Sequence, residues 1–170
     1  MNQINKIGRT LSRTLIKRGI SILNKSVILT PIITTSVDSR LFIQSYFPKA
    51  NIIMLDGKYK IIPWEQWKTI DAEIYDITKK QYNAETWDCD DKAYTHKYWT
   101  LRIFGIPQII VHGHCYDKNG KWLFGHFWNA RISGGKLYFY EPGGNHWTEV
   151  KKGEKIWMKN REYQGIDFEF

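Results

Sequence analysis

One stretch of the chain decides the fold: Gly-His-Phe-Trp-Asn-Ala-Arg-Ile-Ser-Gly-Gly-Lys-Leu-Tyr-Phe-Tyr-Glu, residues 125–141. Two apolar and aromatic runs flank its Ser-Gly-Gly turn, which predicts strands over Lys121–Ile132 and Lys136–Glu141 that pair antiparallel. With the turn centred on the two glycines, position 141 faces about position 128, two residues from His126. A long side chain at Glu141 is therefore within reach of a diagonal contact with His126.

The rest of the chain supplies helices first and further strands afterwards. Helices are predicted from Trp64 to Lys80, with Pro63 at the start, and from Asp88 to about Leu101. Two more strands are predicted at Gln108–Tyr116 and Trp147–Val150. Because helices precede an antiparallel sheet, the predicted fold class is α+β.

Two further β-type segments lie before the first of these helices. Val27–Val37 is apolar and rich in threonine, which predicts a strand or an extended connector. Asn51–Leu55 and Lys58–Ile62 flank Asp56-Gly57, a turn signal that predicts a β-hairpin.

Basic residues are concentrated in the N-terminal part of the chain. The 170 residues carry a net charge of +8, and residues 1–37 hold six cations and no acid. The remainder has 19 basic and 17 acidic residues, so the charge does not assign nucleic-acid binding to the domain. One face of a predicted amphipathic helix over residues 1–25 is lined by Ile4, Ile7, Leu11 and Leu15. We therefore expect a basic amphipathic arm, residues 1–37, and one domain, residues 38–170.

Three kinds of partner fit such an arm. They are a protein surface in an assembly (its own domain or a neighbouring subunit), an anionic surface, and a nucleic acid. No apolar run approaches the roughly 18 residues of a membrane-spanning helix, so no transmembrane segment is predicted. Two cysteines, Cys89 and Cys115, are too few for a disulfide scaffold. We expect two free thiols in a soluble protein, either in a reducing, cytoplasmic compartment or in a phage particle.

A thiol, an imidazole and a carboxylate follow one another along the chain at Cys89, His126 and Glu141. Cys89 falls in the first turn of a predicted helix, where unpaired N–H groups and the helix dipole favour a thiolate and can stabilise an oxyanion. His126 supplies a base, and Glu141 would accept its N–H and fix its tautomer. The face of the strand that His126 shares with Trp128 is apolar, and we expect the Cys89 helix to pack on it.

Several other residues compete for these roles. Asn129 is the alternative orienter, although strand alternation points it away from His126. His96 lies seven residues along the Cys89 helix, about 10 Å of rise, which is too far for a base. The second oxyanion donor is left open among Gln81, Asn83 and Trp87.

Three short segments carry a family resemblance: Trp87–Ala93, Gly125–Asn129 and Glu141–Gly144. They resemble the papain-like and transglutaminase-like cysteine peptidase superfamily, and more narrowly the C-terminal protease domain of fungal agglutinins and its relatives in phages and bacteria. The resemblance implies a triad at Cys89, His126 and Glu141, and a catalytic helix packed on an antiparallel sheet. In the agglutinin branch, the resemblance also implies activation by calcium. Lys92 and Gly143 depart from the residues usual in the family at their positions.

Metal ligands are not assigned by the sequence alone. Three carboxylates flank Cys89 and disfavour its ionisation, and a divalent cation would reverse that penalty. We therefore expect that Asp90 or Asp91 helps to bind Ca²⁺, with solvated helix-stabilising acids as the alternative. The pair His112 and His114 also suggests a metal, but further ligands at suitable spacing are missing, so a structural or surface role is favoured.

The expected function is a cysteine hydrolase, a peptidase acting on peptide or protein substrates through acyl transfer and hydrolysis. The same triad would serve a transglutaminase or an amidase of cell-wall peptide. A non-catalytic phage structural or binding module with a vestigial site is the alternative from another class.

Overall fold

Most strands of the chain lie in one sheet, in a computed structural model that describes residues 31–79 and 88–170. The strands follow the order β2-β9-β4-β5-β6-β7, with β8 paired to β9 beside this path. Their bounds are β2 (Asn51–Ile53), β4 (Ile109–Tyr116), β5 (Trp122–Ser133), β6 (Lys136–Glu141), β7 (His146–Val150), β8 (Ile156–Met158) and β9 (Arg161–Glu169). All pairs are antiparallel except β2 with β9.

The β5–β6 hairpin has the register that the sequence predicts. Asn129 pairs with Tyr140, and Ser133 pairs with Lys136. Gly134 and Gly135 connect the strands with φ angles of 55° and 72°, a left-handed conformation that costs glycine nothing. Because both turn positions require this conformation, the turn fixes the register and with it the positions of residues 126 and 141.

The predicted hairpin over residues 51–62 is wrong. β2 instead lies parallel to β9, with Ile52 opposite Phe168. The strand after the Asp-Gly turn, β3 (Lys58–Ile61), pairs antiparallel with β1 (Ile32–Thr35) in a separate two-stranded sheet. The chain bends at Asp56-Gly57, but β2 and β3 pair with strands distant in sequence, and Ile52 of β2 is buried in the core of the larger sheet.

Three helices are described: α1 (Ser36–Gln44), α2 (Trp64–Thr78) and α3 (Cys89–Phe104). Thr35 caps α1 by accepting the N–H of Asp38 at 3.1 Å. No helix in residues 31–79 and 88–170 is long and apolar enough to cross a membrane. The fold is thus mixed α+β, as predicted.

Residues 31–170 form one compact unit, which includes β1 and the start of α1. The segment 32–37, which the sequence grouped with the basic arm, therefore contributes to this unit. The predicted amphipathic helix over residues 1–25 lies outside the described residues.

The two faces of the sheet bury different chemistry. One face holds Trp128 and Phe139, whose ring centroids lie 5.3 Å apart. Both rings belong to the apolar core, to which α1 contributes Ile43. The other face holds Asn129 and Arg131, which bond to α3 and α2. The prediction that α3 packs on the face shared by His126 and Trp128 is therefore wrong. It packs on the opposite face, where polar strand residues bond to the helices.

Candidate active site

Cys89 is the first residue of α3, and the preceding acid caps the helix. Asp88 and Asp91 form the predicted capping box, in which the Asp88 N–H donates to Asp91 Oδ2 at 3.4 Å. Gly105 ends the helix in a left-handed conformation with a φ of 65°. The local sequence therefore fixes Cys89 at the positive end of the helix dipole.

The imidazole of His126 joins the thiol of Cys89 to the carboxylate of Glu141. Its Nε2 lies 2.5 Å from Glu141 Oε2. The ring also shares a hydrogen bond with the Cys89 side chain. Because Nε2 is taken by Glu141, the nitrogen that faces the thiol is Nδ1. Cys89 reaches this ring although the body of α3 lies on the other face, since the thiol projects from the very end of the helix.

Two further donors hold the carboxylate of Glu141. The N–H of Gly143 donates to Oε1 at 2.9 Å, and the hydroxyl of Tyr163 donates to Oε2 at 3.3 Å. Tyr163 lies on β9, which the sequence did not predict. No short-range motif marks Tyr163, because its place in the site depends on pairing between distant strands.

Aromatic rings enclose His126 on three sides. Trp128 stacks on it at 5.8 Å between ring centroids, while Tyr163 and Phe124 meet it edge-on at 5.7 and 5.8 Å. These rings leave His126 only 9% exposed and fix its orientation.

The surroundings move the pKa values of the pair in opposite directions. Burial opposes the charged form of His126, but hydrogen bonds to Cys89 and Glu141 and their charges raise its pKa to about 9. Burial likewise opposes ionisation of Glu141, yet its bonds to His126, Gly143 and Tyr163 bring its pKa below the ordinary value. At neutral pH the site therefore holds an imidazolium against a carboxylate, with the thiol alongside.

Cys89, His126 and Glu141 open on a cleft of about 820 Å³. Its walls come from the N-terminus of α3, from β5, from the segment between the end of β6 and the start of β7, and from the β8–β9 turn. The other lining residues are Asp88, Lys92, Phe124, Gly125, Gly143, Gly144, His146, Met158, Lys159, Asn160, Arg161 and Tyr163. The volume suits a peptide-sized ligand rather than a single small ion.

The competing candidates lie elsewhere. Asn129 is fully buried and donates to the carbonyl of Ala93 at 3.1 Å, so it does not orient His126. His96 is fully buried against Gln108 and Tyr140. Cys115 is buried, and burial raises its pKa to about 12, as expected for a small core residue.

The side chains of His112 and His114 each contact a different protein group. His112 Nδ1 lies 3.1 Å from Asp167 Oδ2, and His114 Nδ1 lies 3.4 Å from the hydroxyl of Tyr116. Each imidazole thus has its own protein partner. The three candidates for a second oxyanion donor, Gln81, Asn83 and Trp87, fall outside the described residues.

The acids beside the thiol form one cluster. Ligand atoms of Asp88, Cys89 and Asp90 lie within 4.8 Å of one another. A hydrogen bond with Asp90 raises the pKa of Asp88, and the same bond lowers that of Asp90. The carboxylates of Asp88 and Asp90 offer the oxygen ligands that Ca²⁺ prefers, whereas the thiol does not. Asp91, the other predicted ligand, is engaged in the helix cap.

Comparison with known proteins places the chain by fold alone. No protein-family model matches it, and no curated protein matches its sequence. Among solved structures, PSL1a in a PSL1a–E64 complex is similar, with a TM-score of 0.59 and 13% sequence identity over 81% of this chain. The chain spans 51% of that protein. The two therefore share a fold, and the bound E64 is a property of PSL1a.

Proposed function

We propose that this protein is a cysteine-dependent hydrolase that cleaves peptide bonds, built on a papain-like core. The observation that carries the proposal is the continuous hydrogen-bonded series from the Cys89 thiol through the His126 ring to the Glu141 carboxylate, open to a peptide-sized cleft. A helix bearing the thiol at its N-terminus, packed on an antiparallel sheet bearing base and acid, supports the fold assignment.

The first half-reaction forms a thioester. The His126 imidazolium holds the proton of Cys89 on Nδ1, so the sulfur attacks the carbonyl carbon of the substrate as a thiolate. The negative charge passes to the carbonyl oxygen, which the N–H of Cys89 at the start of α3 would stabilise. The imidazolium then gives its proton to the departing amine, and the C–N bond breaks.

The second half-reaction regenerates the enzyme. The neutral ring of His126 takes a proton from water, and the resulting hydroxide attacks the thioester. The carboxylic acid leaves as the C–S bond breaks, and the thiolate returns to its place beside the imidazolium. Glu141 remains ionised throughout, because its task is to hold the Nε2–H tautomer and stabilise the charged ring.

We also propose that Asp88 and Asp90 hold a calcium ion. Bound there, the cation would neutralise two carboxylates that oppose a negative charge on Cys89. Two carboxylates fall short of the six to eight oxygens that calcium takes, so water and backbone carbonyls would complete the shell. Chelator treatment should lower the melting temperature, and Ca²⁺ should restore it. An unchanged melting temperature would remove calcium from the proposal without touching the triad.

The test of the proposed function uses alkylation by iodoacetamide, followed by mass spectrometry. We expect Cys89 to react at pH 7 at least about tenfold faster than it does in His126→Ala. In urea the two proteins should react equally, which serves as the control for intrinsic thiol chemistry. Equal rates in the folded proteins would refute the proposal.

Cleavage products distinguish hydrolysis from acyl transfer to amines. In a mixed peptide library, hydrolysis yields new free carboxylates and amino termini. Product formation should disappear in Cys89→Ala. A product joined to an added primary amine would instead assign transglutaminase-type chemistry to the same triad.

A further inference from the structure

The cleft has one basic wall. Lys159 and Arg161 line it from the turn between β8 and β9. Within residues 31–79 and 88–170, no carboxylate oxygen lies within 4 Å of the charged group of either side chain. By contrast, the neighbouring Lys155 is paired with Glu162 at 2.6 Å. The two cations in the cleft therefore keep their charge available to a ligand.

Both cations are held toward the cleft. The guanidinium of Arg161 lies over the ring of Phe124, 5.1 Å from its centroid, and that ring in turn packs against His126. The ammonium of Lys159 borders the backbone of Gly144, where an added Cβ would lie 3.5 Å from Nζ. Gly144 is three residues from Glu141. The basic wall therefore lies beside the triad.

The opposite wall holds Lys92 and the acid Asp88, whose carboxylate is hydrogen-bonded to Asp90. Lys92 is 8% exposed and borders Gly143, where an added Cβ would lie 3.8 Å from Nζ. Glu141 is committed to His126. Burial and the charge of Lys159 lower the pKa of His146, so this ring is neutral at pH 7.

We propose that Lys159 and Arg161 select substrates that carry a carboxylate close to the carbonyl attacked by Cys89, such as peptides with Asp or Glu beside the scissile bond. This inference rests on the proposed function. It adds the substrate class, because two cations beside a reacting carbonyl attract an anionic substrate and repel a cationic one.

Charge selection can be measured without a known substrate, by comparing two alkylating agents. Iodoacetate and iodoacetamide share the leaving group and nearly the same size, but only iodoacetate is an anion. The ratio of their rates at Cys89 reports the field in the cleft. The test variant is Lys159→Asn with Arg161→Gln. Asparagine is chosen because residue 159 has a φ of 54°, which asparagine tolerates.

The expected result is a loss of the preference for the anion in the double variant. The ratio of iodoacetate to iodoacetamide rates should fall about three- to tenfold, as expected for two partly solvated charges. Because both reagents react with the same thiolate, any change in the ionisation of Cys89 cancels in the ratio. Lys151→Gln, an exposed lysine outside the cleft, should leave the ratio unchanged. Raising the salt from 20 to 500 mM should lower the ratio in the unmodified protein.

Peptide cleavage then tests the substrate class directly. In a mixed library, Asp and Glu should be enriched beside the cut bonds of the unmodified protein, and the enrichment should fall in the double variant. An unchanged alkylation ratio, or cuts without acidic enrichment, would overturn the inference and leave the hydrolase intact. Loss of the His126 effect on iodoacetamide alkylation would instead overturn the proposed function.

Discussion

Two buried histidines, His126 and His96, each lie near a carboxylate, yet their surroundings produce opposite charge states. His126 lies at the cleft, with Glu141 bonded to one nitrogen and Cys89 to the other. His96 is a fully buried residue of α3, with Asp71 3.8 Å away and Arg131 close by. The pKa of His126 rises to about 9, whereas that of His96 falls well below 6.5.

The pKa values of the two histidines differ because Glu141 pairs with His126 itself, whereas Asp71 pairs with Arg131. Burial lowers the pKa of His96, and the positive charge of Arg131 lowers it further. Arg131 forms an ion pair with Asp71, in which Nη2 donates to Oδ1 at 2.6 Å. The hydrogen bonds of the ring, to the Gln108 side chain and the Asp71 backbone, raise its pKa but do not offset burial and the charge of Arg131. A nearby carboxylate therefore charges a histidine only when no stronger cation competes for it.

The largest effect should come from the cleft thiol and its base. Cys89→Ala and His126→Ala should each lower peptide hydrolysis by about 10³-fold or more, because nucleophile and base act as a unit. The rate is measured with a fluorogenic peptide chosen from the library cuts. Cys115→Ala is the matched control and should keep activity within about twofold. Loss of activity in Cys115→Ala but not in Cys89→Ala would show that Cys115, and not Cys89, is the nucleophile.

The next largest effect should be on the free energy of unfolding, and it concerns Asp71, the buried acid that pairs with Arg131. Arg131→Met leaves Asp71 without its cation in a site that is fully buried, so we expect a loss of about 3–5 kcal/mol in the free energy of unfolding. Urea denaturation measures it. Asp71→Asn with Arg131→Met should cost less than the sum of the single changes, since no unpaired charge remains. A single change that costs under about 1 kcal/mol would contradict the account of this pair.

Local signals predicted the site better than they predicted the sheet. Asp88 and Asp91 at a spacing of three fixed the helix start, and the paired glycines 134 and 135 fixed the register of Glu141. Both features depend on a few adjacent residues. The Asp-Gly turn at 56–57 is equally local, but pairing β2 with β9 depends on residues more than a hundred positions apart.

The same limit explains the helix face and the buried ion pair. An alternating strand has two faces, and apolar content predicted the wrong one for α3. Residues Asn129 and Arg131 look solvent-facing in sequence, yet their partners are Ala93 and Asp71 on the helices. The burial of a polar strand face can be predicted only when its hydrogen-bond partners are known. Here those partners lie 36 and 60 residues away.

A third prediction tests whether Glu141 charges His126. Glu141→Gln keeps an oxygen for the N–H of Gly143 but removes the negative charge. We expect hydrolysis to fall about 10²-fold, because the imidazolium loses its stabilising charge. The imidazolium is required as the acid, so the unmodified protein should lose activity as pH rises through about 9. In the variant this alkaline limb should move toward 6.5.

Tyr163→Phe is the control for this change. It removes a weaker bond of 3.3 Å and keeps the charge of Glu141, so the limb should stay near 9. An alkaline limb that does not move in Glu141→Gln would show that the carboxylate only positions the ring.

The smallest effects concern the pH dependence of stability, where the two histidines should act with opposite sign. The native pKa of His126 is raised, so its contribution is fully present below about 6.5 and is lost as pH rises toward 9. His126→Gln should therefore abolish a loss of about 1–2 kcal/mol between pH 7 and 8.5. The native pKa of His96 is depressed, so the unfolded chain binds its proton first and stability falls as pH drops below 6.5. His96→Gln should remove about 1 kcal/mol of that fall between pH 7 and 5.5.

At each pH, the free energy of unfolding of the variant is subtracted from that of the unmodified protein. The subtraction removes the contributions of other titrating groups, such as Cys115. Urea denaturation at the three pH values gives both slopes. Slopes of the same sign in the two variants would mean that Asp71 charges His96 despite Arg131, and would overturn the account of competition for the acid.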